Sequence, residues 1–309
     1  MNILNNQAEF VKECQAFLKP EQLMLNEPMS KHTTFKIGGP ADCLIFPASI
    51  YEVQQLLRLV SKYELPLTVL GNGSNVLVRD KGIRGVVIKF AEPMASINCD
   101  GNRIIAGAGA MLKDVSAVAA DNALTGLEYA CGIPGSIGGA VFMNAGAYDG
   151  ETKNVADVVR TVTKAGEVKI YQRDELELGY RHSAFQDNGE IICEVELLLK
   201  TGDKAAIDTK IADFTRRRES KQPLELPSAG STFKRPTGYF AGTLIDETGL
   251  KGLRVGGAEV STKHAGFVVN ADHATAADVI NLINEVQRRV KAKHGVDLYP
   301  EVRIIGDNN

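Results

Sequence analysis

The stretch GIPGSIGG at residues 132–139 decides the fold prediction for this chain, and it runs directly into the apolar segment 140–145. Glycine occupies five of the 15 positions from Gly132 to Gly146, more than a plain surface loop needs. Glycine lacks a Cβ, so it lets the backbone approach a ligand closely. The apolar segment predicts a helix over 140–145, and amides at a helix N-terminus favour a pyrophosphate. The stretch therefore predicts a phosphate site.

An earlier stretch, GNGSN at 71–75, is the first glycine loop of the chain, and 132–139 is the second; the first lies between two short apolar strands predicted over 67–70 and 76–78. Its amides could converge on an anion, and the side chains of Ser74 and Asn75 could bind phosphate oxygens. Taken alone, the pentapeptide is more typical of a hairpin turn. The second glycine loop at 132–139 favours the ligand interpretation, in which phosphate binding is built from two separate loops.

Two other phosphate motifs are absent or broken. Gly107 and Gly109 follow a predicted strand, but Leu112 stands where a dinucleotide fingerprint needs its third glycine. This segment is therefore interpreted as a strand-to-helix turn. The sequence contains no GxxxxGK[ST] loop. The pattern is that of neither a Rossmann fold nor a P-loop protein.

Composition narrows the class of protein. The chain has 309 residues with 30 Gly, a higher share than the usual figure of roughly 7%. Lys+Arg 35 against Asp+Glu 38 gives a net charge of −3, without the basic footprint of a nucleic-acid binder. Five scattered cysteines form no C-x-x-C pair, and the five histidines form no metal motif, so no metal site is predicted. The N-terminus lacks the pattern of an export signal, and the uncharged run 129–148 is too rich in glycine to span a membrane.

Periodicity predicts an α+β chain. Helices are expected over 8–18, 49–63, 111–122, 204–219 and 276–293, and strands over 42–47, 85–89, 103–106, 155–164, 168–171, 191–200 and 299–305. Strands over 155–200 suggest antiparallel pairing. The last helix places Val279, Ile283, Val286 and Val290 on one face, which we expect in the core. A domain boundary is predicted near residue 200.

Seven segments in order resemble a known family. They are TTFKIGG (33–39), LGNGSN (70–75), 132–148, GYRHSAF (179–185), SKQP (220–223), AGSTFKRP (229–236) and PEVR (300–303). The chain resembles flavoproteins with the PCMH-type FAD-binding fold of vanillyl-alcohol oxidase. Within them it is similar to the shorter type of the UDP-N-acetylenolpyruvoylglucosamine reductases, also called UDP-N-acetylmuramate dehydrogenases.

The resemblance implies an organisation and an activity. A helical segment over 1–32 would precede a two-subdomain FAD-binding domain over 33–199, divided near 97/98. A substrate-binding α+β domain would cover 200–309, its tail from about 297 completing the active site. The implied enzyme is a cytoplasmic oxidoreductase with noncovalent FAD, since 71–75 holds no His or Cys for covalent attachment. It would use NADPH to reduce UDP-N-acetylglucosamine enolpyruvate to UDP-N-acetylmuramate in peptidoglycan synthesis, and so serve cell wall biogenesis, cell shape and cell division. No obligate protein partner is evident.

The resemblance also assigns residues. Hydride would come from reduced flavin N5, a proton from Ser231, and stabilisation of the enolate from Arg181 and Glu301. The substrate would be bound by Lys221, with Arg216 and His264 as further candidates. Arg235 stands where another branch of the family has a substrate-contacting Asn, so that contact is not carried over. The cofactor would be bound by Gly71, Asn72, Gly73, Ser74, Asn75, Gly132, Pro134, Gly135, Ser136, Gly138, Gly139, Asn144, Gly146 and Ala147.

Two other functions remain open from the residues. An oxidase or dehydrogenase on the same flavin fold would keep both glycine loops but would have no use for Ser231. A nucleotide-binding regulator without catalysis is the third possibility, and the joint presence of Ser231, Arg181 and Glu301 argues against it.

Overall fold

A computed structural model describes residues 3–307 of the chain. In these residues the α-helices are α1 (Ile3–Cys14), α2 (Ile50–Lys62), α3 (Leu112–Asp121), α4 (Ile137–Phe142), α5 (Ala184–Asn188), α6 (Lys204–Lys221), α7 (Ala241–Glu247) and α8 (Ala276–His294). Short 3-10 turns lie at Pro20–Gln22, Met29–Lys31, Glu92–Met94, Glu128–Ala130, Thr152–Asn154 and Arg173–Glu175.

The strands are β1 (Leu23–Pro28), β2 (Pro40–Ile45), β3 (Leu67–Leu70), β4 (Val76–Val78), β5 (Ile83–Lys89), β6 (Ile97–Asp100), β7 (Arg103–Gly107), β8 (Leu124–Thr125), β9 (Gly146–Ala147), β10 (Gly150–Glu151), β11 (Ala156–Val162), β12 (Val168–Gln172), β13 (Ile191–Leu198), β14 (Lys200–Thr201), β15 (Ser228–Ser231), β16 (Arg254–Val255), β17 (Ala258–Val260), β18 (Phe267–Asn270) and β19 (Arg303–Ile305). This mixture of helices with mostly antiparallel sheets confirms the predicted α+β class.

The chain divides into two compact units, each made of several segments. The first contains 1–25, 43–72 and 85–217, and the second contains 26–42, 73–84 and 218–309. The segments 26–42 and 73–84 therefore group with the C-terminal part, away from their neighbours in sequence. Long-range pairing explains this grouping, because β4 pairs in parallel with β19 and Thr34 Oγ1 donates to the Ser228 carbonyl at 2.7 Å.

The first unit contains most of a four-stranded sheet in the order β1-β2-β5-β3 and an antiparallel five-stranded sheet in the order β12-β11-β13-β7-β6. Alternating apolar residues of β11 and β13 face the core, where Val159 and Val195 are both fully buried and pair across the sheet. Helix α2 begins as predicted, since Ser49 Oγ accepts from the Glu52 amide at 3.2 Å.

The second unit is built on the sheet β15-β18-β17-β16 and on helix α8. The apolar stripe predicted on α8 lies in the core, with Val279, Ile283, Val286 and Val290 no more than 2% exposed. A capping box of Thr275 and Asp278 starts this helix, and Gly295 ends it in the left-handed conformation with φ 70°.

Some element boundaries differ from the predicted ones. Helix α1 covers Ile3–Cys14 instead of 8–18, and α4 begins at Ile137 and ends at Phe142, three residues earlier than predicted at each end. The final strand is confined to Arg303–Ile305, because residues 299–301 make isolated bonds with 232–234 instead of a continuous ladder. None of the helices in residues 3–307 combines the length and apolar composition that a bilayer crossing requires.

Candidate functional site

The first glycine loop is not a hairpin. Strand β3 before it pairs in parallel with β5, and strand β4 after it pairs in parallel with β19. The boundary of the two compact units falls after Asn72. Within the first unit, a Cβ added at Gly71 would overlap Ser136 Oγ, and the Asn72 side chain donates to the Pro134 carbonyl at 2.5 Å. The structure thus brings the start of this loop to the second glycine loop.

The second glycine loop packs against the strand-to-helix turn at 107–110. The amides of Ile137 and Gly138 donate to the carbonyls of Ala110 and Ala108 at 2.8 and 3.0 Å. A Cβ on Gly138 would lie 2.9 Å from Ala108 Cβ. Two of the amides at the start of α4 are therefore engaged within the protein. Close packing of two backbone segments leaves no room for a side chain at Gly138.

Asn144, one of the predicted cofactor-binding residues, makes three side-chain hydrogen bonds within the first unit. It is 1% exposed with a left-handed φ of 40°. Its amide donates to Glu151 Oε2 and to the Gly179 carbonyl, both at 2.8 Å, and its oxygen accepts from the Lys153 amide at 2.9 Å. Nearby, Gly146 and Ala147 form the short antiparallel pair β9/β10. Asn144 thus ties this turn to residue 179.

Arg181 lies on a tight turn of the first unit. Gly179 and His182 pair across the turn, and Arg181 itself has φ 55°. The Gln186 side chain holds this conformation by donating to the Arg181 carbonyl at 3.0 Å and to the Phe142 carbonyl at 2.7 Å. Because Phe142 ends α4, the turn that carries Arg181 is fixed to the helix that follows the second glycine loop.

In the second unit the structure brings Ser231 and Glu301 to the same edge. Ser231 ends β15 directly after Gly230, which has φ 75°, and its side chain is exposed. The next residue, Thr232, accepts the Glu301 amide at its carbonyl at 2.8 Å. The tail also contacts the first glycine loop here, since the Asn75 side chain donates to the Glu301 carbonyl at 3.4 Å.

His264 is connected through Gly266 to Thr232, the residue that follows Ser231. The Gly266 amide donates to His264 Nδ1 at 3.1 Å, and the Gly266 carbonyl accepts the Thr232 amide at 2.8 Å. Burial, with Lys251 and Lys221 nearby, lowers the pKa of His264. An acceptor at Nδ1 leaves the proton of the neutral ring on Nε2, so His264 presents a hydrogen-bond donor at that atom.

The other two candidate substrate residues lie on helix α6. Arg216, in the first unit, pairs with Asp213 at 2.5 Å on a face where its side chain is 79% exposed. That arrangement is typical of a solvated helix surface. Lys221 is the last residue of α6, is exposed and belongs to the second unit.

Sequence reasoning missed a cavity of about 310 Å³ in the first unit. It is lined by Asn72, Lys89, Phe90, Ala91, Glu92, Ala95, Ile97, Gly109, Met111 and Asp114. The signal that could have found it is Lys89, a charged residue at the end of the otherwise apolar strand 85–88. The turn at 107–109, interpreted as merely structural, forms part of the wall.

Two family models match this chain. Residues 40–170 match the model described as the FAD binding domain. Residues 222–305 match the model of the UDP-N-acetylenolpyruvoylglucosamine reductase C-terminal domain.

Similar proteins cover almost the whole chain. The UDP-N-acetylenolpyruvoylglucosamine reductase of Clostridium perfringens is 52% identical over 303 residues, which are 98% of this chain and 99% of that one. The protein of the same description from Geobacillus kaustophilus is 54% identical over 285 residues, covering 92% and 93% of the two chains. A crystal structure of the UDP-N-acetylenolpyruvylglucosamine reductase from Thermus caldophilus is 38% identical, with a TM-score of 0.78 and coverage of 91% and 97%.

The fold and the matched domain define this protein as an FAD-binding oxidoreductase. Within that class, the chain belongs to the UDP-N-acetylenolpyruvoylglucosamine reductase family. The predicted family, fold class and FAD cofactor are thereby confirmed. The assignments of individual residues and the domain boundaries stay predictions.

Proposed function

We propose that this enzyme uses NADPH to reduce UDP-N-acetylglucosamine enolpyruvate to UDP-N-acetylmuramate, a reaction of peptidoglycan precursor synthesis in the cytoplasm. Membership of the family supports the reaction, because relatives named for it match over nearly their full length. The observation that carries the residue assignment is the bond from the Glu301 amide to the Thr232 carbonyl, which joins the tail to the end of β15.

Residues of the two glycine loops would hold FAD. The fit is supported by the contact of the two loops in the first unit, where the Asn72 side chain donates to the Pro134 carbonyl, and by the cavity beside Asn72. A dinucleotide needs backbone groups that can reach its phosphates together with room for its ends. Bound FAD supplies the hydride that NADPH delivers to the enzyme. We further propose that 33–199 forms the FAD-binding domain and 200–309 the substrate domain.

Ser231 is proposed to donate the proton. The reaction adds a hydride to the terminal carbon of the enol ether and a proton to the neighbouring carbon, which bears the carboxylate. A serine hydroxyl is a weak acid, but transfer to a carbanionic carbon is downhill. The exposed side chain of Ser231, presented by the left-handed Gly230, supports this role.

Arg181 and Glu301 are proposed to stabilise the enolate that forms before protonation. The planar, permanently charged guanidinium of Arg181 matches an enolate with an adjacent carboxylate. Its left-handed backbone, held by Gln186, supports a fixed position for that charge. Glu301 would orient or polarise the same group, and its backbone is fixed by the bonds to Thr232 and Asn75.

The sugar nucleotide is proposed to meet Lys221 and His264, with Arg216 as a weaker candidate. A diphosphate needs cations and donors, and Lys221 and the Nε2 proton of His264 provide them in the second unit. Arg216 already shares Asp213 with Arg217, so binding would have to compete with two ion pairs.

Separate measurement of the two half-reactions tests this function. In Ser231→Ala we expect flavin reduction by NADPH to proceed at the wild-type rate, while oxidation of the reduced enzyme by the enolpyruvyl sugar nucleotide slows by about 10²–10⁴-fold. Ser228→Ala, on the same strand, serves as the matched control and should behave as wild type. Two unchanged half-reactions in Ser231→Ala would refute the proton-donor role. Oxygen consumption with an alcohol donor, without reduction of the sugar nucleotide, would instead indicate an oxidase.

A further inference from the structure

Strand β12 (Val168–Gln172) forms one edge of the five-stranded sheet in the first unit. Among residues 3–307, no strand pairs with its other side. Two apolar residues of this strand are well exposed, Val168 at 43% and Ile170 at 55%. At the opposite edge of the sheet, strand β6 exposes the polar residues Asn98 and Asp100 instead. An open edge with exposed apolar side chains is the kind of surface to which a strand of another chain can add.

The hairpin that joins β11 to β12 determines which backbone groups face this edge. The Thr163 amide donates to the Glu167 carbonyl at 2.8 Å, so these two residues form a hydrogen-bonded pair. Hydrogen-bonded and non-hydrogen-bonded pairs alternate along an antiparallel ladder, and β11 and β12 pair without a register shift. The odd-numbered residues of β12 therefore bond to β11. The even-numbered residues direct their N–H and C=O groups to the open edge, and they are Val168, Ile170 and Gln172.

Two side-chain contacts bear on this edge. The Gln172 amide points away from β11 and donates to Glu175 Oε2 at 2.7 Å, as the alternation requires. Lys169 is the charge within the strand that could keep another strand away, and its ammonium lies 3.0 Å from Glu190 Oε1. Charged residues protect sheet edges, but an ion pair leaves less net charge to repel an incoming strand. The edge therefore has little electrostatic protection.

Charge selects one register for antiparallel pairing of β12 with β12 of a second copy. A two-fold axis at Ile170 places Lys169 opposite Tyr171, and the flanking Glu167 opposite Arg173. An axis at Lys169 would place the two lysines opposite each other. An axis at Tyr171 would place Lys169 opposite Arg173. Opposite charges across a sheet stabilise it and like charges destabilise it, so the axis at Ile170 is favoured.

We propose that the open edge of β12 binds a second copy of this chain, whose own β12 adds antiparallel about a two-fold axis at Ile170. The sheet then continues across two molecules. The two Ile170 residues exchange a pair of backbone hydrogen bonds, and each Val168 amide donates to the Gln172 carbonyl of the other copy. The exposed side chains of Val168 and Ile170 are covered in part by their counterparts.

The length of the strand limits the affinity. Strand β12 has five residues, so the pairing buries less surface than the roughly 1,200–2,000 Å² of stable interfaces. We therefore expect a dimer that forms at high concentration and dissociates on dilution. Arg173 contacts Asp157 through Nε at 3.4 Å, and its guanidinium has further N–H donors for Glu167 of the other copy. The proposal concerns assembly and does not depend on the reaction.

Sedimentation equilibrium of the FAD-loaded enzyme between about 1 and 500 µM tests the association. We expect the average mass to rise with concentration from that of one chain toward that of two. Hydrogen exchange at the two ends of this range locates the contact. The amides of Val168 and Ile170 should exchange at least about threefold more slowly in the concentrated sample. Those of Lys169 and Tyr171 already bond to β11 and should not change.

Complementary charge reversals test the register. Glu167→Arg and Arg173→Glu should each raise the dissociation constant of the dimer at least about fivefold, because like charges then lie opposite each other. An equimolar mixture of the two variants should associate as wild type does, since every arginine then faces a glutamate. Lys113→Glu, a charge reversal at an exposed position of α3, is the matched control and should associate as wild type.

A further variant keeps the proposal testable if Arg173→Glu does not fold. Ile170→Glu places two carboxylates at the two-fold axis and should weaken the dimer by a similar factor. Circular dichroism and thermal unfolding verify that each variant is folded. A mass of one chain over the whole concentration range, unchanged association of Ile170→Glu, or a mixture of folded variants that associates no better than either alone would overturn the proposal.

Discussion

The backbone amide of Glu301 donates to the carbonyl oxygen of Thr232 at 2.8 Å, and this bond joins two residues that are far apart in the sequence. Ser231 immediately precedes Thr232, so the pairing sets the spacing of Ser231 from Glu301. Two further backbone bonds, from Lys234 to Tyr299 and from Arg303 to Asn75, continue the attachment of the tail on either side. The backbone at Glu301 is therefore held independently of its carboxylate, which allows the carboxylate to be changed alone.

Replacing Glu301 by Gln should affect chemistry and spare the fold. The amide keeps the size of the side chain and removes its charge and its ability to be protonated. We expect the rate constant for oxidation of the reduced enzyme by the enolpyruvyl substrate to fall about 10²–10³-fold, the cost of losing one stabilising group in a transition state. Flavin reduction by NADPH should be unchanged in rapid-mixing experiments. Asp297→Asn, a surface carboxylate paired with Lys291, is the control and should leave both steps intact.

Substitutions at the neighbouring residues Gly138 and Gly139 test the effect of packing separately from the effect of ligand contact. A Cβ on Gly138 would lie 2.9 Å from Ala108 Cβ, whereas the nearest atom to a Cβ on Gly139 is Ser136 Oγ at 3.4 Å. Gly138→Ala should lower the free energy of unfolding by about 1–3 kcal/mol through overpacking. Gly139→Ala should leave stability unchanged or raise it, since alanine is the better helix former. If Gly139 contacts FAD, that variant will bind FAD more weakly without loss of stability, as denaturant unfolding and fluorescence titration would show.

The accessibility of the thiols gives a test of the first unit's core. Cys14, Cys43 and Cys193 are buried, and burial raises the pKa values of Cys14 and Cys193 to about 12. Because the thiolate is the reactive form, these two groups should be inert at pH 8. We expect a thiol reagent to modify Cys99 and Cys131 in the native protein and all five cysteines in denaturant. Rapid modification of a third thiol in the native state would contradict the described packing.

The sequence pattern predicted those features that depend on interactions between residues close together in the chain. The predicted start of α2 near residue 49 and the buried stripe of α8 depend on residues three or four apart, and both are found. The partners of β3 and β4 could not be predicted in this way. Three apolar residues at 76–78 contain no information that their partner is Arg303–Ile305, because that choice depends on tertiary packing across the chain. The strands on either side of residues 71–75 pair with β5 and β19 and not with each other, so the hairpin that this pentapeptide favours does not form.

The contacts made by residues of the candidate site also depend on tertiary packing and could not be predicted from the sequence. Ser136 lies beside Gly71 and Ala108 beside Gly138, so neither position has room for a Cβ, and the contact of both glycines with FAD stays a prediction. The sequence alone does not show whether a glycine makes room for another segment of the protein or for a ligand, because either neighbour leaves no space for a Cβ. The sequence does not predict that Lys89 is buried, because a lysine at the end of a strand is usually solvated. The fold shows its burial.

Asn144 offers the sharpest test of structural against cofactor-binding roles. Asn144→Ala removes three hydrogen bonds and leaves the Gly179 carbonyl and the Lys153 amide without these partners. Leaving a fully buried polar group unsatisfied costs about 1–3 kcal/mol, and because these bonds are only partly buried we expect a loss of unfolding free energy near the lower end of that range in the flavin-free protein. The turn at 179–182 should also loosen, and because Arg181 lies on it, the oxidative half-reaction should slow more than flavin reduction. Asn98→Ala, an exposed residue of strand β6, is the control for a mere loss of an amide. Unchanged stability without flavin, together with weaker FAD binding, would instead assign Asn144 to the cofactor.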